Sequence, residues 1–435
     1  MMNKAPRIVL PDSFKAVVGD TLQLFFRGII EHPFPYIYNI QVTCDIGRNT
    51  PRYFEVTPTP DMVGEHTLTV TLRDFDDTVI ATSSTVLKVR PQHQTPETKK
   101  NVLCVGDSLT AGGVWCSELC RRLTKKEGTP KGRGLYNISF IGTCEKDGTH
   151  YEGYGGWTWS NYLNGPAEQR TEMWFDCRHN KNISDQHSLW RDANGGIWKL
   201  ETIAPSRMIL IRLEPFAELP EAPGILTHLS NAEHTEDIEY TATYKVPYNP
   251  FWDTDTLSVD FKNYCQQNGF EGIDLVCTLL TWNGGGSFLD DKGRTNIAAQ
   301  AELARKFLRI LHSQYPKAKV LMMGLQLPSL NGGCGASYGA GGGWMEAYSN
   351  TYALCRYVFE MNIVYQALAN EEEFASFVEF VNISAQFDSE NNMPETDKPV
   401  NLRSTKTEKV GTNGVHPAVE GYYQIADAVY RNISF

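Results

Sequence analysis

The sequence predicts an α/β protein in which a doubly wound, five-stranded parallel sheet follows a smaller all-β, immunoglobulin-like sandwich. Three observations predict it. The first ninety or so residues hold short β-branched and aromatic stretches, separated by turn signals and free of helical periodicity. Pro91 to Lys100 is polar and carries two prolines, the composition of a linker. From Asn101 onward, short apolar runs alternate with amphipathic stretches, as in a parallel sheet covered on both faces. The predicted organisation is a β module over 1–92, a linker over 93–100 and an α/β domain over 101–435.

In the β module the expected strands are Leu22 to Phe26, Tyr36 to Val42, His66 to Leu72 and Val79 to Val89. The run His66 to Leu72 alternates polar and apolar, so one face is buried. Thr59-Pro60-Asp61 and Arg73 to Asp77 supply turns. Strands of this length and spacing suit a sandwich. In the α/β part, Asn101 to Val105, Tyr136 to Gly142, Ile273 to Leu280, Lys319 to Leu325 and Phe377 to Ile383 read as the five strands. Helices are expected at Val114 to Leu123, Asn296 to His312, Met345 to Ala369 and Ala418 to Tyr430. The second carries Leu303, Phe307, Ile310 and Leu311 on one stripe. The segment of about 158–260 is rich in Trp, Asn and Gly and shows little clean periodicity. It reads as a functional insertion or a cap over the site.

The bulk properties exclude several classes. The 435 residues are 41% hydrophobic and 21% charged, as in an ordinary globular protein. A net charge of −11 argues against a nucleic-acid partner. No run of about 18 apolar residues suggests a membrane span. The ten cysteines show neither C-x-x-C pairs nor zinc spacing. Cys104 and Cys277, inside apolar runs, read as buried thiols. Met1 to Pro6 has no hydrophobic h-region. The expected compartment is periplasmic or extracellular with the signal peptide absent from this chain, the cytoplasm being the other choice.

Chemistry concentrates where strands end. Val102 to Val105 stops at Gly106-Asp107-Ser108-Leu109 and a helix follows, which exposes Ser108 at the strand's carboxyl end. Its backbone N–H would lie near a helix N-terminus, a favourable field for a developing oxyanion. This tetrapeptide resembles the first block of the SGNH (GDSL-type) hydrolases, whose four blocks supply Ser, Gly, Asn and His. The others come in the same order. Glu152-Gly153-Tyr154-Gly155-Gly156-Trp157 is similar to the second, Leu280-Thr281-Trp282-Asn283-Gly284 to the third, and Asn413-Gly414-Val415-His416-Pro417 to the fourth. The resemblance implies the flavodoxin-like sheet of that family, Ser108 as nucleophile, His416 as general base, and Gly156 and Asn283 as oxyanion donors, with no metal or organic cofactor.

Two departures from the family pattern matter. Thr281 and Gly284 replace the Gly and Asp around the block-three Asn, and Asn413 stands where the family keeps the Asp that orients the His. Three arrangements stay open: a Ser–His dyad with the ring held by Asn413 or a backbone carbonyl, a replacement acid, or a weak or inactive relative. Asp388 is the best-placed acid by topology, with Asp397 and Glu408 behind it. Seven of the nine tryptophans fall between Trp157 and Trp282. Aromatic faces beside Asn and Asp suit sugar rings, so Tyr154, Trp157 and Trp282 are candidate substrate contacts. The Glu152 to Trp157 stretch also resembles acetylxylan-esterase-type members. The expected activity is removal of acyl groups, acetyl above all, from a carbohydrate. The competing readings are a non-catalytic glycan-binding relative and a lipid-type esterase or thioesterase.

Overall fold

The chain forms two units, Met1–Leu163 with Asp260–Phe435, and Asn164–Val259 between them in sequence. The computed structural model describes residues 6–165, 172–177, 188–204, 207–213, 220–229, 237–245, 248–285, 296–329 and 351–434.

Seven strands open the first unit: β1 (Ser13–Val17), β2 (Leu22–Phe25), β3 (Asn39–Thr43), β4 (Arg48–Asn49), β5 (Tyr53–Val56), β6 (Gly64–Arg73) and β7 (Val79–Arg90). They build two sheets, β1-β7-β6-β3 and β2-β5-β4, with β1 parallel to β7. Alternation in β6 buries Leu68, Val70 and Leu72 against Phe14, Leu24 and Phe54. Ala385, from the far end of the chain, lies in the same apolar cluster.

Next come β8 (Lys100–Gly106), the single-turn α1 (Ser108–Ala111), α2 (Val114–Thr124), β9 (Ile138–Ile141), β10 (Cys144–Lys146), β11 (Thr149–Gly153) and the short α3 (Trp159–Leu163). Strands β9 and β11 share one edge of β8: β9 pairs with Lys100 to Leu103, and β11 with Val105 and Gly106. β10 and β11 form a hairpin whose two-residue turn has Asp147 at φ 52° and Gly148 at φ 75°. Positive φ at both centres matches the right-handed strand twist, which is why an Asp-Gly pair sits there.

The second unit holds β12 (Glu172–Cys177), β13 (Leu189–Arg191), β14 (Ile197–Ala204), β15 (Arg207–Arg212), β16 (Gly224–His228) and β17 (Asp237–Lys245), closed as an antiparallel barrel in the order β12-β15-β14-β13-β16-β17. Phe175, Trp190, Trp198, Leu200, Leu210 and Leu226 fill it. A small ladder, β18 (Trp252–Asp253) with β19 (Ser258–Val259), comes after the barrel in sequence. Two of the barrel tryptophans are satisfied core residues: Trp190 Nε1 donates to Ser188 Oγ at 2.9 Å, and Trp198 Nε1 to Asp192 Oδ2 at 2.7 Å.

The first unit resumes with α4 (Phe261–Gln267), β20 (Leu275–Leu279), α5 (Ile297–Gln314), β21 (Lys319–Met323), α6 (Thr351–Ala369), β22 (Val378–Val381), the short α7 (Ile383–Gln386), the hairpin β23 (Glu395–Pro399) with β24 (Thr407–Gly411), and α8 (Val419–Asn432). The sheet runs β10-β11-β8-β20-β21-β22, all parallel except β10. Burial on both faces explains the unbroken apolar runs in β8 and β20. On α5 the buried stripe includes Phe307 and Leu311, while Leu303 and Ile310 are only half-buried. No helix among the described residues is long and apolar enough to cross a membrane. Residues 345–350, the expected start of the helix that is now α6, lie outside the described residues.

The expected fold class is therefore corrected. The chain is strand-rich and mixed, not a five-stranded flavodoxin-like core behind an immunoglobulin-like sandwich. The Asp147-Gly148 hairpin adds an antiparallel edge to a seven-stranded sheet. The Trp-, Asn- and Gly-rich stretch, expected to be irregular, closes into a barrel. Its signal is present in the alternation of Met173, Phe175 and Cys177 and of Trp198 and Leu200, whose intervening Trp174, Asp176 and Lys199 lie outside the core.

A buried ion network seats the N-terminal strands on the sheet's helices. Asp20, after β1, accepts from Arg122 Nη2 of α2 at 2.5 Å and from Arg431 Nε of α8 at 2.7 Å. Arg122 also reaches Asp427 at 2.5 Å and stacks 3.8 Å over the Tyr430 ring. Arg122 is 2% exposed, Asp20 and Arg431 5% each. Removing one member of such a set strands the others' charge in low dielectric. We expect Asp20→Ala to lower stability by about 3–5 kcal/mol, read as a reduced urea midpoint at unchanged slope; an unchanged midpoint contradicts the network's role.

Candidate functional site

The carboxyl ends of β8, β11 and β20 meet around Gly106, which pairs with Gly153 and Leu279. A Cβ on Gly106 would lie 2.0 Å from Thr110 Oγ1 and 2.7 Å from the Leu279 carbonyl oxygen, so no side chain fits. The Gly106 carbonyl accepts from Tyr154 N at 3.1 Å and Tyr162 OH at 2.8 Å. Strand β8 then turns at Asp107, whose carboxylate caps α1 by accepting from Leu109 N at 3.0 Å. Asp107 is completely buried, and burial pushes its pKa up to about 7. α1 is one turn long and ends at Gly112. The field at Ser108 is therefore that of a few orphan N–H groups rather than of a long helix.

Ser108 Oγ lies 2.8 Å from His416 Nε2. Both side chains are half-buried. The loop carrying His416 is held from three sides. Asn413 Oδ1 accepts from Val415 N at 3.0 Å and His416 N at 2.9 Å. Gln326 Nε2 donates to the Val415 carbonyl at 2.8 Å, and Ser329 N to the Gly414 carbonyl at 3.1 Å. Asn413 thus orders the backbone on which the imidazole stands and does not use its amide on the ring. Burial pulls His416 below its ordinary pKa of 6.5, which favours the neutral, basic imidazole.

Gly156 sits at φ 81° in a turn closed by Trp157 N donating to the Tyr154 carbonyl at 3.2 Å. This third turn position demands positive φ, which glycine adopts without strain. Among the described residues neither the Ser108 N–H nor the Gly156 N–H has an acceptor. Asn283 Nδ2 bridges the blocks, lying 3.4 Å from Asp107 Oδ2 and 3.2 Å from the Trp157 carbonyl oxygen. The structure therefore brings Ser108 and His416 together directly, and Asn283 joins them through Asp107 and Trp157.

Other residues singled out by sequence lie elsewhere in role. Asp388 accepts from Arg52, which the β4–β5 turn supplies, and from Glu390 N, Asn391 N and Asn391 Nδ2. Asp397 pairs with Lys409 at 3.0 Å on the exposed β23–β24 hairpin, where Glu408 is also exposed. Trp282 is 1% exposed and Trp157 6%, so both are core rings. Tyr154 is half-buried, its ring 4.1 Å from that of Trp157.

Three supports of the site escape sequence reasoning. Glu152 is fully buried yet accepts from Thr143 N (2.7 Å), Thr143 Oγ1 (3.0 Å), Tyr154 OH (2.6 Å) and Tyr264 OH (2.6 Å). Burial still raises its pKa. Thr281 has φ 105°, a conformation costing a β-branched residue about 1–3 kcal/mol. Tyr365 hydrogen-bonds it from α6. Glu152 is visible in the sequence as a charge flanked by strand residues; nothing in the local sequence marks Tyr365.

No family model matches the sequence, and no curated protein matches it. A solved structure described as "Peptidoglycan O-acetylesterase in action, 5 min" is 14% identical, over 77% of this chain and 90% of that one, with a TM-score of 0.25. A likeness that distant leaves the chemistry to be argued from the residues of this chain.

A neutral His416 is the form able to take the Ser108 proton. Phosphonylation of Ser108 by a fluorophosphonate should therefore rise with pH and reach half its plateau below 6.5, the ordinary histidine value. A midpoint above 6.5 contradicts the burial argument.

Proposed function

We propose that this chain is a serine esterase that removes acyl groups, acetyl above all, from a carbohydrate through a Ser108–His416 acyl-enzyme. The single observation carrying the reaction class is the 2.8 Å contact between Ser108 Oγ and His416 Nε2. It lies within the reach required between nucleophile and base. The resemblance of four ordered sequence blocks to SGNH hydrolases supports it.

In this reading His416 Nε2 takes the Ser108 proton as Oγ attacks the ester carbonyl. The Ser108 and Gly156 N–H groups, both without an acceptor among the described residues, receive the oxyanion, and the Asn283 amide joins them by exchanging its long 3.4 Å contact with Asp107 Oδ2 for the oxyanion. Each such donor is worth about 3 kcal/mol in the transition state. Protonated His416 passes its proton to the leaving alcohol, and water, deprotonated by His416, releases the acid. Support for a sugar as leaving alcohol comes from the resemblance of the Glu152 to Trp157 stretch to acetylxylan-esterase-type members and from the half-buried Tyr154 ring. Buried Trp157 and Trp282 add nothing to it.

Ser108→Ala should abolish fluorophosphonate labelling and hydrolysis while leaving the melting temperature near wild type. p-Nitrophenyl acetate should be cleaved with higher kcat/KM than the octanoate, and acetylated xylo-oligosaccharides should release acetate. Preference for octanoate favours a lipid-type esterase. A folded protein that neither labels nor hydrolyses favours the non-catalytic glycan-binding reading.

Asn283→Ala should lower kcat about 100-fold or more with little change in KM, the signature of a donor acting in the transition state. A change confined to KM places the amide on the ground-state substrate instead.

A further inference from the structure

We propose that Tyr365 is a positioning residue for the oxyanion donors, its hydroxyl setting the spacing between the Gly156 turn and Asn283. The proposal deepens the esterase reading and rests on it for the identity of those donors.

Tyr365, on α6, is fully buried. Its hydroxyl takes a hydrogen bond from Trp159 Nε1 at 2.7 Å and makes a second with Thr281 Oγ1. An indole N–H only donates, so the Tyr365 oxygen accepts it and the Tyr365 proton is left for Thr281 Oγ1. Trp159 stands three residues beyond Gly156, and Thr281 two residues before Asn283. One hydroxyl therefore ties together the two segments that carry the donors.

The tie has a strained chain to hold. Thr281 adopts φ 105°, which glycine tolerates and a β-branched residue does not adopt unaided. Tyr357, two turns earlier on α6, donates to the Thr281 carbonyl at 2.5 Å and grips the same residue from its backbone. With Thr281 pinned, the chain reaches Asn283 in extended geometry (φ −80°, ψ 152°), and its amide meets the Trp157 carbonyl at 3.2 Å. Without the Tyr365 hydroxyl, Thr281 would relax toward negative φ and swing the Asn283 amide off its mark.

The test is Tyr365→Phe, which keeps the ring and removes only the hydroxyl. We expect kcat for p-nitrophenyl acetate to fall about 10-fold or more with KM nearly constant, since misplaced donors tell in the transition state. Adding Thr281→Gly should recover part of the lost kcat, because glycine needs no grip to hold that φ, while the Trp159 half of the tie stays unmade. A folded Tyr365→Phe with wild-type kcat overturns the proposal, as does a loss that Thr281→Gly does not recover. Amide hydrogen exchange supplies a readout independent of hydrolysis. Exchange over 154–158 and 281–284 should quicken together in Tyr365→Phe, and unchanged exchange in either segment overturns the tie. If the wild-type chain hydrolyses no ester, the esterase reading falls while exchange still judges the tie. Should Tyr365→Phe not melt cooperatively, Trp159→Phe removes the Gly156 side of the bridge and leaves the Thr281 contact; exchange over 154–158 should quicken and kcat fall, and unchanged exchange there overturns the tie.

Discussion

The close approach at Gly106 is the constraint on which the site depends. Strand β8 can lie against Gly153 on one side and Leu279 on the other, with Thr110 folded back over its end, only because residue 106 has no side chain. Gly153 is under the same pressure, since a Cβ there would lie 2.7 Å from the Thr110 backbone. Two glycines facing each other across parallel strands let α1 settle onto the sheet edge. Ser108 then emerges where β11 and β20 also deliver their loops. Any added methyl would lift α1 and move Ser108 away from His416.

Around that point the protein uses two kinds of buried charge. Beneath the N-terminal strands, Asp20, Arg122, Arg431 and Asp427 neutralise one another in a closed set. Beside the site, Glu152 and Asp107 are buried on hydroxyls, amides and backbone N–H groups instead. The first arrangement fixes how parts of the fold sit together. The second fixes loops, because a buried carboxylate without its donors is costly and each donor is consequently held. Glu152 fastens Tyr154 to the sheet and so fastens the turn that contains Gly156, while Asp107 holds the start of α1 and the Asn283 amide.

Legibility varies with how local the cause is. β8 and β20 are readable because burial on both faces leaves an unbroken apolar run. The Ser108 turn is readable because a strand ending in Gly-Asp-Ser before a helix is a short-range pattern. The barrel is hidden although Met173, Phe175 and Cys177 alternate, since Trp, Asn and Gly between the strands mask the period. The β10–β11 hairpin announces itself in Asp147-Gly148, and leaving that pair out of the expected fold loses the sheet's antiparallel edge. The tryptophans suggest a sugar platform by composition, and the structure buries Trp157, Trp159, Trp190, Trp198 and Trp282 as packing. Composition records how many rings a chain has and not which way they face.

By itself the sequence determined which residue types stand at the strand ends: a serine behind a glycine, paired glycines, an asparagine and a histidine, in that order. These arise from steric and chemical demands that act within a few residues. Only the tertiary structure decided what those residues touch. The 2.8 Å contact joins positions 308 residues apart. Asn413, standing where an acid is expected, holds backbone amides, and Asp388 serves Arg52. The strain at Thr281 and the hydroxyl that meets it come from segments 84 residues apart. Partners so distant in sequence are selected by packing of the whole sheet and its helices, and no local pattern encodes them.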